Sequence, residues 1–292
     1  MNIPRYWAKG DSTVQGAVTH PHSGASIEHL SCWGWSDSSE EDARAKGVER
    51  ANALHQTFES GEVPDRYGYP DRPMREEIID EWKDSDGTVY AAITLNGYGC
   101  QVLNTASIMF IDVDLEPEKP GSIFDSIGRL FGGKKTETVD PETEALNKAR
   151  SLSKADPELG IRAYRTAAGL RYLVTHTQKT PDSEDSQAMM SALGSDPLYM
   201  RLCKVQDCFR ARLTPKPWRC GSYALNVSYP YTDTEAEKRA MAWLEDYQKH
   251  AASYATCTFI HHYGPKEMSD EIQRVVSYHD DLTGATSGRP LA

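Results

Sequence analysis

The chain has 292 residues, of which 39% are hydrophobic and 26% charged, so it is long enough for one large globular domain or two small ones. Its net charge of −11 excludes a global basic field, and any contact with nucleic acid must therefore come from a local patch. The sequence begins without the apolar core of a signal peptide and has no apolar run of about 18 residues. We therefore expect no membrane span and a cytoplasmic location.

The six cysteines are scattered and form no Cys-x-x-Cys pair. Cys203, Cys208 and Cys220 lie closest in sequence, but their spacing matches no metal-binding knuckle. The sequence predicts reduced, mostly buried thiols and no structural zinc site.

Residues 1–106 are predicted to form an N-terminal α/β module. Hydroxyl and acidic residues at 36–41 are typical of a helix start, and Asn96-Gly97 is typical of a hairpin turn. The predicted elements are a strand at 25–35, a helix ending near 58, a helix at 74–83, and strands at 88–95 and 100–104.

The central stretch is Ser107–Leu115, in which residues 108–111 are apolar and no breaker interrupts the run. This pattern predicts a buried strand that ends in Asp112-Val113-Asp114. Side chains two apart on a strand share a face, so the two carboxylates would project together from Cα atoms roughly 6.5 Å apart. They would repel one another unless a hard cation such as Mg²⁺ or Mn²⁺ lay between them. The alternative is that both acids cap the next turn in solvent.

Residues 116–143 are predicted to be a flexible insertion rich in Pro, Gly and Lys. Apolar residues recur at helical spacing inside it. They indicate either a short helix packed on the body or an exposed arm at 117–135 that docks on a protein partner.

From Ser107 onward the predicted order is β-α-β-β-α-β, followed by a C-terminal helix–strand–helix extension at 231–292. We therefore predict an α+β fold with a ferredoxin-like (RRM-like) antiparallel sheet at 107–230. The elements after the insertion are helices at 142–154, 182–193 and 197–204, strands at 160–165, 170–175 and 207–213, and then a helix ending near 250, a strand at 254–262 and a helix at 268–278.

In such a sheet, acids and arginines from different strands would meet. Asp112, Asp114 and Asp207 would hold divalent cations, and the arginines would bind polyphosphate. The candidate polyphosphate-binding arginines are Arg165, Arg171, Arg210 and Arg212.

These residues resemble the archaeo-eukaryotic primases of the primase-polymerase type. Asp112-Val-Asp114 resembles the acidic strand motif of that family, and Thr166-Ala-Ala-Gly169-Leu-Arg171 resembles its second, hairpin motif. The second resemblance implies that Thr166 and Gly169 also belong to the nucleotide-binding site. Asp207-Cys-Phe-Arg210-Ala-Arg212 stands where a third acid and downstream arginines follow in the family. The resemblance spans roughly residues 25–230 and implies Mg²⁺- or Mn²⁺-dependent nucleotidyl transfer on nucleotides or single-stranded nucleic acid.

The chain departs from the family at Arg171, which stands where the second motif has a nucleotide-binding histidine. An arginine is a permanent cation and would still contact phosphate. Three hypotheses follow: a metal-dependent nucleotidyl- or phosphoryl-transfer enzyme, a non-catalytic descendant that binds ligands or acts as a scaffold, and a metal-dependent nuclease.

Overall fold

The computed structural model describes residues 1–20, 23–62, 73–115 and 140–292, and these contain six helices and twelve strands. The predicted insertion and docking arm lie almost wholly outside the described residues. The helices are α1 Glu40–Glu59, α2 Pro141–Ala155, α3 Glu184–Leu193, α4 Pro197–Gln206, α5 Thr234–Ala251 and α6 Asp270–Thr283. The strands are β1 Tyr6–Asp11, β2 Val18–Thr19, β3 Ser26–Ile27, β4 Ser31–Ser36, β5 Glu77–Lys83, β6 Val89–Leu95, β7 Gln101–Thr105, β8 Ile108–Asp114, β9 Ile161–Thr166, β10 Gly169–Gln178, β11 Phe209–Arg212 and β12 Cys257–Tyr263.

The N-terminal unit consists of the antiparallel pair β1–β4 with α1 packed against it. Helix α1 begins at the N-cap Ser39, whose hydroxyl accepts a hydrogen bond from the Asp42 amide, as the sequence predicts. The strand predicted at 25–35 is interrupted, because only 26–27 and 31–36 are extended, and these two segments pair with different strands.

A second sheet has the antiparallel order β11-β7-β6-β5. The helix predicted at 74–83 is wrong, since this segment forms β5, which pairs with β6 along its whole length. Pairing with β6 and burial of Trp82 outweigh the local helical signal. The predicted hairpin after β6 is confirmed, and the Asn96 side chain accepts hydrogen bonds from the amides of Tyr98 and Cys100.

The third sheet has the antiparallel order β12-β9-β10-β8 and carries the predicted central strand, whose residues 108–111 are buried. The expectation of one sheet over 107–213 is wrong in one respect, because β11 pairs with β7 and β12 takes the outer position beside β9. Asp207, in the left-handed conformation at φ 50°, ends α4 just before β11 and turns the chain toward β7. A mixed α+β fold with antiparallel sheets is confirmed.

Strand β11 nevertheless lies beside β8, so the two four-stranded sheets meet there. The Tyr199 hydroxyl is 2.9 Å from the Phe110 carbonyl oxygen of β8 and 3.0 Å from the Arg210 carbonyl oxygen of β11. One apolar core spans both sheets and α6, with Leu103, Phe110 and Val275 among its fully buried members. Among the described helices, none combines the length and apolar character needed to cross a membrane.

Candidate functional site

A cavity of about 220 Å³ opens where β8 and β10 meet β11. The hairpin of β9 and β10 forms one wall, and the loop after β11 forms another. The lining residues are Asp112, Val113, Asp114, Thr166, Ala168, Leu170, Arg171, Arg212, Lys216 and Arg219.

Asp112 and Arg171 stand directly opposite one another on β8 and β10. The guanidinium donates two parallel hydrogen bonds, from Nε to Oδ1 at 2.8 Å and from Nη2 to Oδ2 at 3.1 Å. Burial alone would lower the pKa of Arg171, but the adjacent Asp112 carboxylate raises this pKa above its ordinary value. Such a bidentate pair between a guanidinium and a carboxylate is a strong, geometrically specific contact, and here it engages Asp112 but not Asp114.

Asp114, two residues along β8, has a different environment. In the described part of the chain, its carboxylate makes no hydrogen bond or ion pair. Burial raises the pKa of Asp114, and the nearby carboxylates of Asp196 and Asp112 raise it further. A cation bound beside Asp114 would relieve this repulsion.

Asp196 is a third acid near the cavity that the sequence reasoning missed. It is the N-cap of α4, and its carboxylate accepts hydrogen bonds from the amides of Leu198 and Tyr199 at 3.2 Å. Its own amide donates to the Asp112 carbonyl oxygen at 3.3 Å, which places the start of α4 against β8. In the sequence, Asp196 before Pro197 signals only a helix start.

Three cations line the opposite wall. Arg212 donates from Nη1 to the Thr214 carbonyl oxygen at 3.1 Å, and no carboxylate pairs with it, with Lys216 or with Arg219 among the described residues. Burial lowers the pKa of Arg212, and the neighbouring Arg171 lowers it further. Burial also lowers the pKa of Lys216, and the positive charges of Arg212 and Arg219 lower it further. Crowded, unpaired cations in a cavity are the arrangement that binds an anion such as phosphate.

Lys216 and Arg219 were not among the residues predicted from the sequence. Both belong to the run Lys216-Pro-Trp-Arg219, at the start and end of a short 3₁₀ helix over Pro217–Arg219. The available signal was a lysine between two prolines, with an arginine three residues later, directly after a strand, since prolines hold a loop in one shape.

Thr166 and Gly169, two of the predicted nucleotide-binding residues, flank the turn of the β9–β10 hairpin. Thr166 lines the cavity, and Gly169 allows the hairpin to approach β8, because a Cβ at this position would lie 2.0 Å from the Val113 carbonyl oxygen. Gly169 therefore has a packing role that the sequence motif did not reveal.

Arg171 and Arg212 also line the cavity as predicted, whereas Arg165, Arg210 and Asp207 do not. Arg165 forms an exposed ion pair with Glu142, and Arg210 makes a buried double contact with Glu76 at 2.7 and 2.8 Å. The carboxylate of Asp207 accepts a hydrogen bond from the amino group of Met1 at 3.1 Å. Because Asp207 ends α4 and not a strand of the same sheet, it does not join Asp112 and Asp114 as expected.

The carboxylates of Asp112 and Asp114 at the end of β8 are oxygen ligands of the kind that Mg²⁺ and Mn²⁺ bind. Within residues 1–20, 23–62, 73–115 and 140–292, no group of three or more His, Cys, Asp or Glu side chains could hold a metal ion. Mg²⁺ commonly uses one or two carboxylates and completes its octahedron with water and substrate phosphates. Asp112 and Asp114 therefore fit such a cation only together with a phosphate ligand.

No protein-family model, curated protein or solved structure matches this chain. The functional inference therefore depends on the residues of the cavity.

Proposed function

We propose that the cavity binds the phosphate groups of a nucleotide, and that the chain is a primase-polymerase-like protein for Mg²⁺- or Mn²⁺-dependent nucleotidyl or phosphoryl transfer. The observation that carries this proposal is the meeting of two strand-end carboxylates with Arg212, Lys216 and Arg219 in one cavity. The local cationic wall also reconciles nucleotide binding with a net charge of −11.

The proposal assigns separate tasks to the two walls. Arg212, Lys216 and Arg219 bind phosphate oxygens, while Asp114, with Asp112, would hold a divalent cation. Arg171 orients Asp112 through its two parallel hydrogen bonds. The cation, when bound, would lower the barrier to transfer by neutralising charge that develops on phosphate oxygens.

The segment from β8 to β11 is proposed to be a divergent ferredoxin-like unit. Strands β8, β9 and β10 pair as that unit requires, and β11 lies on the other side of β8 without a ladder of hydrogen bonds.

A second candidate function is phosphate or nucleotide binding without catalysis. The observation that favours it is the double hydrogen bond between Arg171 and Asp112, which engages both oxygens of one of the two metal-binding carboxylates. In this case no divalent metal ion is needed, and Arg212, Lys216 and Arg219 alone bind the ligand.

Binding of tripolyphosphate and ATP, measured by calorimetry with and without Mn²⁺, tests the proposal. We expect Lys216→Gln and Arg219→Gln each to weaken binding about 10-fold or more, because each removes a charge-assisted hydrogen bond. Lys238→Gln, which removes a cation exposed on α5, is the matched control and should bind as the wild type does. Equal binding by all four proteins, or none by the wild type, would contradict the proposal.

Asp114→Asn separates the two candidate functions. If the chain is a transferase, wild-type protein with Mn²⁺ forms nucleotidyl or phosphoryl products, and the variant loses both these products and the Mn²⁺ enhancement of ATP binding. If ATP binds equally with and without Mn²⁺ and no product forms, the non-catalytic function is the one supported.

A further inference from the structure

Trp218 is the most exposed of the six tryptophans, all of which lie in the described residues. Half of its surface is open to solvent (51%), whereas Trp7 and Trp82 are buried. The ring of Tyr98, which is equally exposed, meets Trp218 edge to face, with ring centroids 5.3 Å apart and planes at 90°. Burial of two such large aromatic side chains would stabilise the fold, so their exposure leaves apolar surface available for a ligand.

The loop that carries Trp218 is held in one shape. Pro215 and Pro217 fix its backbone, and Pro217 begins the 3₁₀ helix that contains Trp218. The Cys100 thiol donates to the Pro215 carbonyl oxygen at 3.3 Å, and the Ser222 amide donates to that of Pro217 at 2.9 Å. The indole is therefore presented to solvent by an anchored backbone, so that little conformational entropy would be lost when a ligand orders it.

Lys216 connects the exposed indole with the cationic cavity. Its Nζ lies 5.7 Å from the centroid of the Trp218 ring, and the same side chain lines the cavity with Arg219. Lys216 and Arg219, which flank Trp218 closely in sequence, both line the cavity. This combination suits a ligand that is flat and aromatic at one end and anionic at the other.

We propose that Trp218, supported by Tyr98, is the surface on which the base of the bound nucleotide stacks while its phosphates occupy the cavity. The inference rests on the proposed function and deepens it, because it assigns a site to the base. Stacking on an indole tolerates any base, since every base offers a π face, so this contact would select nucleotides over bare phosphates without selecting among them. The ligand is either a free nucleotide or one residue of a single strand, and both present the same base next to phosphate.

Calorimetry with three probes tests the assignment: ATP, a short oligothymidylate and tripolyphosphate, which has no base. We expect Trp218→Ala to weaken binding of ATP or of the oligonucleotide about 5- to 100-fold, the range found when a stacking aromatic is replaced by alanine. Tripolyphosphate should bind the variant as it binds the wild type. Trp218→Phe keeps an aromatic ring and should recover most of the lost affinity.

Tyr223→Ala is the matched control, because Tyr223 is the most exposed aromatic among the residues that the structure describes, at 87%, and lies outside the pair. It should bind all three probes as the wild type does. If Trp218→Ala weakens the binding of ATP but not of the oligonucleotide, the site is assigned to a free nucleotide. If it weakens the binding of the oligonucleotide but not of ATP, the site is assigned to a single strand.

Three results would overturn the inference. If Trp218→Ala leaves ATP and oligonucleotide binding unchanged while tripolyphosphate still binds, the base does not stack there, although the proposed function stands. If the variant weakens tripolyphosphate as much as ATP, the loop itself was damaged and stacking is rejected. If the wild type binds none of the probes, the proposed function fails and the base site fails with it.

Discussion

At the scale of single residues, the Arg171 guanidinium is the most heavily engaged group of the cavity. Besides its two bonds to Asp112, its Nη1 donates to the Arg212 carbonyl oxygen at 2.9 Å. The Arg171 side chain is only 3% exposed, whereas that of Asp112 is 35% exposed. The pair therefore joins β8, β10 and β11 through one buried cation, and loss of its counterion would leave that cation uncompensated.

A double-mutant cycle measures this pair. We expect Asp112→Asn and Arg171→Met each to lower the free energy of unfolding by about 3 kcal/mol, because each leaves the partner charge without compensation. The double variant should lose less than the sum, with an interaction energy of about 1–3 kcal/mol in urea unfolding. The exposed pair of Arg165 and Glu142 is the matched control and should couple by less than about 1 kcal/mol. Equal coupling in both cycles would contradict the buried role of Arg171.

Next to Arg171 lies His279, which is fully buried in α6. Its Nε2 is 3.5 Å from Nη1 of Arg171, and its Nδ1 is 3.1 Å from Oδ1 of Asp280. A neutral imidazole satisfies both neighbours if Nδ1–H donates to Asp280 and Nε2 accepts from Arg171. Burial lowers the pKa of His279 and Arg171 lowers it further, against the opposing effects of Asp280 and Asp112.

This shift makes stability depend on pH. The folded chain keeps His279 neutral at pH values where the unfolded chain, with an ordinary pKa of 6.5, takes up a proton. The free energy of unfolding should therefore fall as pH decreases below about 6.5, by up to ~1.4 kcal/mol per pH unit for one proton. Urea unfolding between pH 7 and 5 measures this slope, and His279→Gln should reduce it. An unchanged slope in the variant would show that other groups cause the dependence.

The sequence identified part of the cavity at this scale. The alternating pattern of β8 placed Asp112 and Asp114 on one face, and the hairpin motif placed Arg171 near them. The sequence did not predict the roles of Asp196, Lys216 and Arg219. They belong to a helix cap and an irregular loop, where side-chain directions follow no period that the sequence pattern could reveal.

At the scale of elements, α1 lies unusually close to the β1–β4 pair. A Cβ on Gly34 would lie 2.0 Å from the Ala43 carbonyl oxygen and 2.3 Å from the Gly47 amide nitrogen. A Cβ on Gly47 would in turn lie 2.7 Å from the Gly10 amide nitrogen. The helix and the strands therefore meet backbone to backbone, and this contact positions the strand that carries Trp33 and Trp35.

Gly34→Ala tests this close contact. We expect a loss of about 1–3 kcal/mol in the free energy of unfolding, because the added methyl group meets backbone atoms that cannot move without separating α1 from β4. Gly97→Ala is the control, since a Cβ there meets nothing within 4 Å. Its effect in the same urea titration should stay within about 0.5 kcal/mol. A Gly34 variant as stable as the Gly97 variant would contradict the close packing.

The elements differ in how far local sequence determined them. Helix α1 and strand β8 form where their caps and apolar runs predict them. Residues 77–83 have apolar side chains at 78, 79 and 82, a spacing that suits a helix locally, but they lie at the edge of the second sheet, and pairing with β6 decides their conformation. The partner of β11 was equally beyond local reach, because strand pairing depends on residues more than a hundred positions apart.

At the scale of the whole molecule, the last sixty residues complete the sheet that holds the cavity. Strand β12 pairs with β9, and α6 places its apolar face on the core. His279 of α6 also reaches Arg171, so the C-terminal segment contacts the cavity's buried cation. The 231–292 extension is therefore joined to the 107–230 region by a strand pairing and by a polar contact.

A chain that ends at residue 230 should lose cooperative unfolding. It lacks Cys257, Ile272, Val275 and Val276, all buried in the core, and full burial of an aliphatic side chain contributes about 1.5–3 kcal/mol. Their combined loss is comparable to the entire stability of a typical domain, about 5–15 kcal/mol. Thermal unfolding followed by near-ultraviolet circular dichroism measures the loss.

A second chain that ends at residue 266 keeps β12 but not α6, and we expect it to remain non-cooperative because the core face beneath α6 is left open. Adding a 231–292 peptide to the shorter chain should restore a cooperative transition. A cooperative, wild-type-like transition in the 1–230 chain alone would show that the cavity region folds without its C-terminal strand and helix.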